Sequence, residues 1–89
     1  MPLDRTPSNV TLGELKRLFL AWGGMEWSAD PDERPGQGYE VRFYRNGGWQ
    51  MVACKVYGTK PQNLRQCFLL LDRLRVAEKH GVQYIGLTS

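Results

Sequence analysis

The stretch GYEVRFYRNGGWQMVACKVY, residues 38–57, decides the fold. Apolar and polar residues alternate along it in two runs, which is the period of half-buried β-strands. Asn46-Gly47 separates the runs and favours a two-residue type I′ turn, because both central positions of that turn need a positive φ. The stretch therefore predicts a β-hairpin in which Arg45 pairs with Gly48 and Tyr44 pairs with Trp49.

The two faces of this predicted hairpin differ in composition. One face holds side chains typical of a core: Tyr39, Val41, Phe43, Gln50, Val52, Cys54 and Val56. The other face mixes aromatic, aliphatic and charged side chains: Glu40, Arg42, Tyr44, Arg45, Trp49, Met51, Ala53, Lys55 and Tyr57. Either the first helix covers this second face, wholly or in part, as another core layer, or the face is open to water and binds a partner. Burying an unpaired cation costs several kcal/mol, and Trp, Tyr, Met and Arg are enriched at interface centres.

A helix is predicted on each side of the hairpin. Residues 10–24, VTLGELKRLFLAWGG, offer Thr11 as N-cap with Glu14 completing a capping box, and two glycines that end the helix. Residues 58–82, GTKPQNLRQCFLLLDRLRVAEKHGV, offer a second capping box at Thr59 and Gln62. That second helix is expected to end at Gly81 in a Schellman closure.

The remaining segments complete the predicted topology. Residues 28–38, SADPDERPGQG, have the prolines, glycines and charges of a loop, and residues 82–87, VQYIGL, are typical of a short last strand. We therefore predict an α+β domain over residues 10–89, after a flexible N-terminus at residues 1–9. Its order is α-β-β-α-β, with a small three-stranded mixed sheet and two helices packed on it. This order differs from the α-β-β-β-α order of the double-stranded-RNA-binding domain.

Length and charge restrict the classes of function. The chain has 89 residues and a net charge of +3, which suits one small domain. It contains neither the ~18 apolar residues of a membrane helix nor a signal-peptide core, so we expect a cytoplasmic protein that does not bind membranes. Residues 1–38 carry four Lys or Arg and six Asp or Glu, a net charge of −2, whereas residues 39–89 carry eight and three, a net charge of +5. A basic C-terminal half favours an acidic protein surface or a phosphate backbone.

Few residues indicate catalysis or metal binding. His80 is the only histidine and falls at the predicted end of a helix, where a cation is favourable. Asp30, Asp32 and Glu33 lack the spaced oxygen ligands and the glycine of a calcium loop. The two cysteines, Cys54 and Cys67, have no adjacent base and are expected to be reduced thiols. We expect a protein that is not an enzyme and has no cofactor and no metal; the opposing hypothesis requires His80 to meet the acidic loop.

Short motifs in the C-terminal half support a resemblance. They are Ala53-Cys54 at the end of a strand, Asn63-Leu64-Arg65 opening a helix with Leu74-Arg75 within it, and Gly81-Val82 followed by Gln83-Tyr84 and Gly86. They resemble a module of uncharacterised bacterial proteins that also carry a J domain. Lys55 replaces an acidic residue usual there, the aromatic usual before the Asn-Leu-Arg run is absent, and these 89 residues hold no His-Pro-Asp tripeptide. The resemblance implies a recurring small α/β module, of the kind carried by phages or other mobile elements, and without the J domain it does not predict stimulation of a chaperone.

We expect the second hairpin face to bind a protein. The candidate contact residues are Arg42, Tyr44, Arg45, Trp49, Met51, Lys55 and Tyr57 on the hairpin. A basic stripe of Arg65, Arg73 and Lys79 on the second helix would add contacts to an acidic partner surface. Nucleic-acid binding by the basic C-terminal half is the alternative hypothesis, although the chain has no RNP-like motif, GXXG clamp or zinc knuckle. An open hairpin edge would also allow two copies to pair.

Overall fold

The structure is a computed structural model that describes residues 6–32, 36–45 and 47–82. It contains helix α1 (Ser8–Ala21), strands β1 (Trp27–Pro31), β2 (Tyr39–Arg45) and β3 (Gly48–Cys54), and helix α2 (Lys60–Lys79). The three strands form one antiparallel sheet in the order β1-β2-β3. The predicted α+β class is confirmed.

The hairpin has the predicted register. Tyr44 pairs with Trp49 and Arg45 pairs with Gly48, so the loop between the strands contains two residues. Gly47 has a φ of +79°, as a type I′ turn requires of its second central residue. The bulge that a second glycine at position 48 would permit does not form, and the alternation of faces continues to the end of β3.

Strand β1 corrects the prediction that residues 28–38 are a loop. Trp27 pairs with Phe43, and the ladder continues to Pro31 opposite Tyr39. Pro31 is compatible with a strand here because β1 is an edge strand and Pro31 is its last residue, where a missing amide costs no ladder bond. The inward-facing side chains Trp27 and Ala29 pack against the core and supply the burial that holds this short strand in place.

Both helices pack on the same face of the sheet. The α1 ring of Phe19 lies 5.6 Å from that of Phe43 and 5.3 Å from that of Trp27. From α2, the Cys67 thiol approaches the carbonyl oxygen of Val52 at 3.8 Å. The core between helices and sheet consists of Leu15, Leu18, Phe19, Val41, Phe43, Val52, Leu64, Cys67 and Leu71. The hypothesis that α1 covers the second hairpin face is therefore wrong.

Both ends of α2 agree with the sequence prediction, whereas the start of α1 does not. Val82 N–H donates to the carbonyl of Ala77, and Gly81, with a φ of +95°, donates to that of Glu78, which is the predicted Schellman closure. The Thr59 hydroxyl accepts from Gln62 N–H at the start of α2, as predicted. By contrast, α1 begins at Ser8 and includes Asn9, so Thr11 is not an N-cap but a buried residue within the first turn.

The described sheet is antiparallel throughout, so the prediction of a mixed sheet is wrong. Most of the last predicted strand, residues 82–87, lies outside the described residues, and the edge of β2 that is not paired with β3 is occupied by β1. The described order, α-β-β-β-α, is that of the double-stranded-RNA-binding domain, so the predicted difference in order is wrong. Within the ranges described, no helix is both long enough and apolar enough to cross a membrane.

Candidate functional site: an open sheet face

The face of the sheet opposite the helices is uncovered in the described part of the chain. We call it the open sheet face. Because strand residues alternate, the neighbours of Val41, Phe43 and Val52 point to this side. The pairing arranges its side chains in rows across the strands: Tyr44 beside Trp49, then Ser28, Arg42 and Met51, then Asp30, Glu40 and Ala53.

One end of the open sheet face is aromatic. Trp49 is 55% exposed and Tyr44 is 44% exposed, although both are large apolar side chains. Their rings meet edge to face with centroids 5.6 Å apart, which fixes each ring against the other. A hollow of about 460 Å³, which we call the aromatic hollow, is lined by Ser28, Arg42, Trp49, Gln50 and Met51. Four of the predicted contact residues, Arg42, Tyr44, Trp49 and Met51, are therefore brought together.

The other end of the open sheet face is acidic. Asp30 lies directly opposite Glu40 in the β1–β2 ladder, a like-charged pair that is unfavourable in a sheet. The Arg42 guanidinium bonds to the Glu40 carboxylate at 3.0 Å, so it offsets one of the two charges. A second hollow of about 410 Å³, the acidic hollow, is lined by Asp30, Pro31, Asp32, Glu40 and Arg42. The sequence does not predict this acidic row, because residues 28–38 have the composition of a loop.

Arg45 does not belong to the open sheet face, which corrects its assignment. Its guanidinium stacks over the Trp22 ring at 4.5 Å and forms an ion pair with Glu78 near the end of α2. The Trp22 indole N–H donates to the same carboxylate at 3.2 Å. Bonding from Arg45, reinforced by the Trp22 N–H, lowers the pKa of Glu78. These three residues join α1, β2 and α2 and have a structural role.

Lys55 and Tyr57 follow β3 and lie at the margin of the open sheet face. Lys55 is exposed and its stem lies beside Asp32 across the backbone of Gly38. Tyr57 is half-buried, and its backbone is held by the side chain of Asn63. Val56, which alternation assigned to the core face, is instead 84% exposed because the strand ends at Cys54.

Asn63 is a buried polar residue in the first turn of α2. Its Oδ1 accepts from the Tyr57 N–H at 3.0 Å and from the Cys54 thiol at 3.3 Å. Its Nδ2 donates to the carbonyls of Gln37 at 2.6 Å and Tyr57 at 3.0 Å. Asn63 is fully buried, so these four bonds fasten the loops on both sides of the hairpin to α2.

The predicted basic stripe on α2 is not assembled. Arg65 is held between the helices, where its guanidinium bonds to Glu14 of α1 at 2.7 Å and lies 4.8 Å from the Phe68 ring centroid. Only 14% of its side chain is exposed. Arg73 and Lys79 are exposed on α2 but are six residues apart, about 120° around the helix, and so do not share one face with each other.

The residues considered for catalysis do not converge. Asp30 and Asp32 lie by the first residues of β2, whereas His80 follows Glu78, which is bonded to the last residue of β2, Arg45. Cys54 and Cys67 are free thiols, and burial together with the nearby Cys54 raises the pKa of Cys67 to about 12. Among the residues that the structure describes, no group of three His, Cys, Asp or Glu side chains is placed to hold a metal ion.

Comparison of the chain with protein-family models, with curated proteins and with solved structures gives no match.

Proposed function

We propose that this protein is a non-enzymatic binding module that holds a protein partner on its open sheet face. The observation that carries the proposal is the exposure of Trp49 and Tyr44, ordered against each other beside a hollow that also contains Arg42 and Met51. Exposed, rigid aromatic side chains next to an arginine are typical of the residues that contribute most to protein–protein binding.

The helix side of the molecule supports the same proposal. Its large aromatic rings, Phe19, Trp22, Trp27 and Phe43, are packed against one another between helices and sheet and complete a core without the open sheet face. The aromatic residues on the open face are thus not needed to close that core. Retaining such apolar area in water is typical of a surface that is covered on binding.

Site-specific crosslinking tests the proposal. A photo-reactive amino acid at Ala53, which is exposed on the open sheet face, should give discrete protein adducts in the source cells. The same amino acid at Leu20, 65% exposed on α1, is the matched control and should not give those adducts. Trp49→Ala should weaken binding of the identified partner by about tenfold or more, since interface aromatics contribute about 2 kcal/mol or more. Adducts from Leu20 alone, or an unchanged affinity of Trp49→Ala, would contradict the proposal.

Binding of double-stranded RNA is a second candidate, favoured by one observation. The described element order, α-β-β-β-α, is that of the double-stranded-RNA-binding domain, although a shared order does not establish a shared function. Against it, four of the eight Lys and Arg residues of the C-terminal half are ion-paired: Arg42, Arg45, Arg65 and Arg75.

A mobility-shift titration distinguishes the two candidates. RNA binding predicts a shift of a random duplex at low salt, a steep loss of affinity as salt rises, and weaker binding of Lys55→Glu. Lys55 is the informative position because it is exposed, whereas reversing Arg65 would also break its bond to Glu14. No shift at low salt excludes this candidate and leaves the protein-binding proposal unaffected.

A further inference from the structure

We infer that the partner of the open sheet face presents a basic segment in which a Lys or Arg side chain accompanies a large apolar side chain. This inference rests on the proposed function and specifies the chemistry of the partner. The apolar side chain would enter the aromatic hollow, and the cation would lie over the row formed by Asp30 and Glu40. The basic C-terminal half predicts an acidic partner surface, and the charges of the open sheet face reverse that expectation.

The charges of the open sheet face support a basic partner. Among the described residues of this face, three are acidic (Asp30, Asp32 and Glu40) and two are basic (Arg42 and Lys55), so their charges sum to −1 in a chain whose overall charge is +3. Arg42 is engaged with Glu40 at 3.0 Å, and Asp30 has no ion pair within the described ranges. A carboxylate without an ion pair beside a second carboxylate is complementary to an incoming cation.

The effect of the Asp30–Glu40 pair on the stability of the sheet also favours a basic partner. Carboxylates directly opposite each other across two strands destabilise a sheet, and a bound cation between them removes that repulsion. The neighbouring aromatic end also favours cations, because the faces of Trp49 and Tyr44 attract Lys and Arg side chains. The open face therefore offers a cation favourable surroundings at both ends.

The spacing of the rows limits the partner sequence. Successive rows on one face are two strand residues apart, about 7 Å. The aromatic hollow extends from the Trp49 row, two rows from Asp30 and Glu40, to the Arg42 row, one row from them, so the two contact points lie about 7–13 Å apart. An extended partner segment spans this distance with its apolar and basic residues two to four positions apart.

Selection from a phage-displayed library of random 12-residue peptides tests the inference, with the intact protein immobilised. We expect wild-type protein to enrich peptides with Lys or Arg two to four positions from a large apolar residue. One enriched peptide is then synthesised as the probe. Asp30→Lys should reduce its affinity by about tenfold, because the substitution replaces an attractive charge with a repulsive one. Asp72→Lys makes the same change of charge on α2, on the other side of the sheet, and should leave the affinity unchanged.

The outcomes separate this inference from the proposed function. The inference alone would be overturned if the enriched peptides need Trp49 but are acidic or uncharged. It would also be overturned if the probe binds Asp30→Lys as tightly as it binds wild type. No enrichment above the Trp49→Ala background would overturn the proposed function and the inference with it. As a second readout, Asp30→Asn should raise the thermal unfolding midpoint by about 1–5 °C, because it removes the like-charged pair. The same substitution should lower the affinity for the probe peptide. A lower midpoint would mean that Asp30 stabilises the fold, which contradicts the inference.

Discussion

Asn63 and Thr11 are both fully buried polar side chains, and they differ in whether their polar atoms are satisfied. Asn63 uses both ends of its amide in four hydrogen bonds, whereas the Thr11 hydroxyl has no partner among the described residues. A satisfied buried group costs little, and removing one of its partners is expensive. The two residues therefore make opposite predictions on substitution.

Asn63→Asp should destabilise the fold by about 2 kcal/mol or more. The substitution keeps the size of the side chain but turns an N–H₂ donor into an oxygen that faces the carbonyls of Gln37 and Tyr57. Urea unfolding followed by circular dichroism measures the loss. Asn9→Asp is the matched control, because Asn9 is exposed in the first turn of α1, and it should change stability by a few tenths of a kcal/mol at most. Equal stability of the two variants would contradict the role assigned to Asn63.

Thr11→Val should raise the free energy of unfolding by about 1 kcal/mol. Valine has the shape of threonine without the hydroxyl, so it removes a buried donor and acceptor that has no partner. The comparison variant is Thr59→Val, which removes a hydroxyl that caps α2 and should cost about 1 kcal/mol. If Thr11→Val lowers stability as Thr59→Val does, the Thr11 hydroxyl must have a partner.

At this scale the sequence predicts apolar side chains better than polar ones. Periodicity placed Val41, Phe43 and Val52 correctly, because burial of an apolar side chain depends on which side of the strand it occupies. The hydrogen bonds and ion pairs of Asn63 and Arg45 were not predicted, because their partners Gln37 and Glu78 are distant in the chain. The face of Arg45 was assigned against the strand period, which places Arg45 on the same side as Val41 and Phe43.

Among the elements, β1 was missed and the others were predicted. Its sequence WSADP contains a proline and an aspartate, both depleted in strands, and only Trp27 and Ala29 alternate as inward-facing residues. What makes it a strand is the free edge of β2, to which it is hydrogen-bonded through Phe43 to Tyr39. The acidic row of the candidate site depends on this pairing, so a sequence pattern that does not predict β1 does not predict the row either.

The ends of α1, β2 and α2 are joined by Trp22, Arg45 and Glu78, and this junction should depend on pH. The pKa of Glu78 is lowered in the folded protein, so its contribution to stability is complete above the unfolded-state pKa of about 4.3 and is lost as pH falls through the folded-state value. Glu78→Gln should therefore cost about 1 kcal/mol at pH 7 and progressively less below about pH 4. Unfolding titrations of both proteins from pH 7 to pH 2.5 measure this difference; a constant difference across that range would contradict the ion pair.

At the scale of the whole fold, the described residues place two helices on one face of a three-stranded sheet, and none of those residues covers the other face. The composition of the hairpin does not decide whether its second face is core or surface, because that face has enough aromatic residues for a core and enough charges for a surface. The decision lies in where α1 packs, and α1 packs through Phe19 against Phe43 and Trp27 on the face already covered by α2. A contact between elements so far apart in the chain leaves no periodic trace in either segment.

Our central claim is that Tyr44 and Trp49 belong to a surface and not to the core. The free energy of unfolding of Trp49→Ala, measured in urea beside Phe43→Ala, tests it most directly. We predict that Trp49→Ala costs about 1 kcal/mol, the contribution of one edge-to-face contact with Tyr44, whereas Phe43→Ala costs about 3–5 kcal/mol because Phe43 is fully buried. A loss at Trp49 as large as that at Phe43 would show that the sheet is covered on both sides and has no open face for a partner.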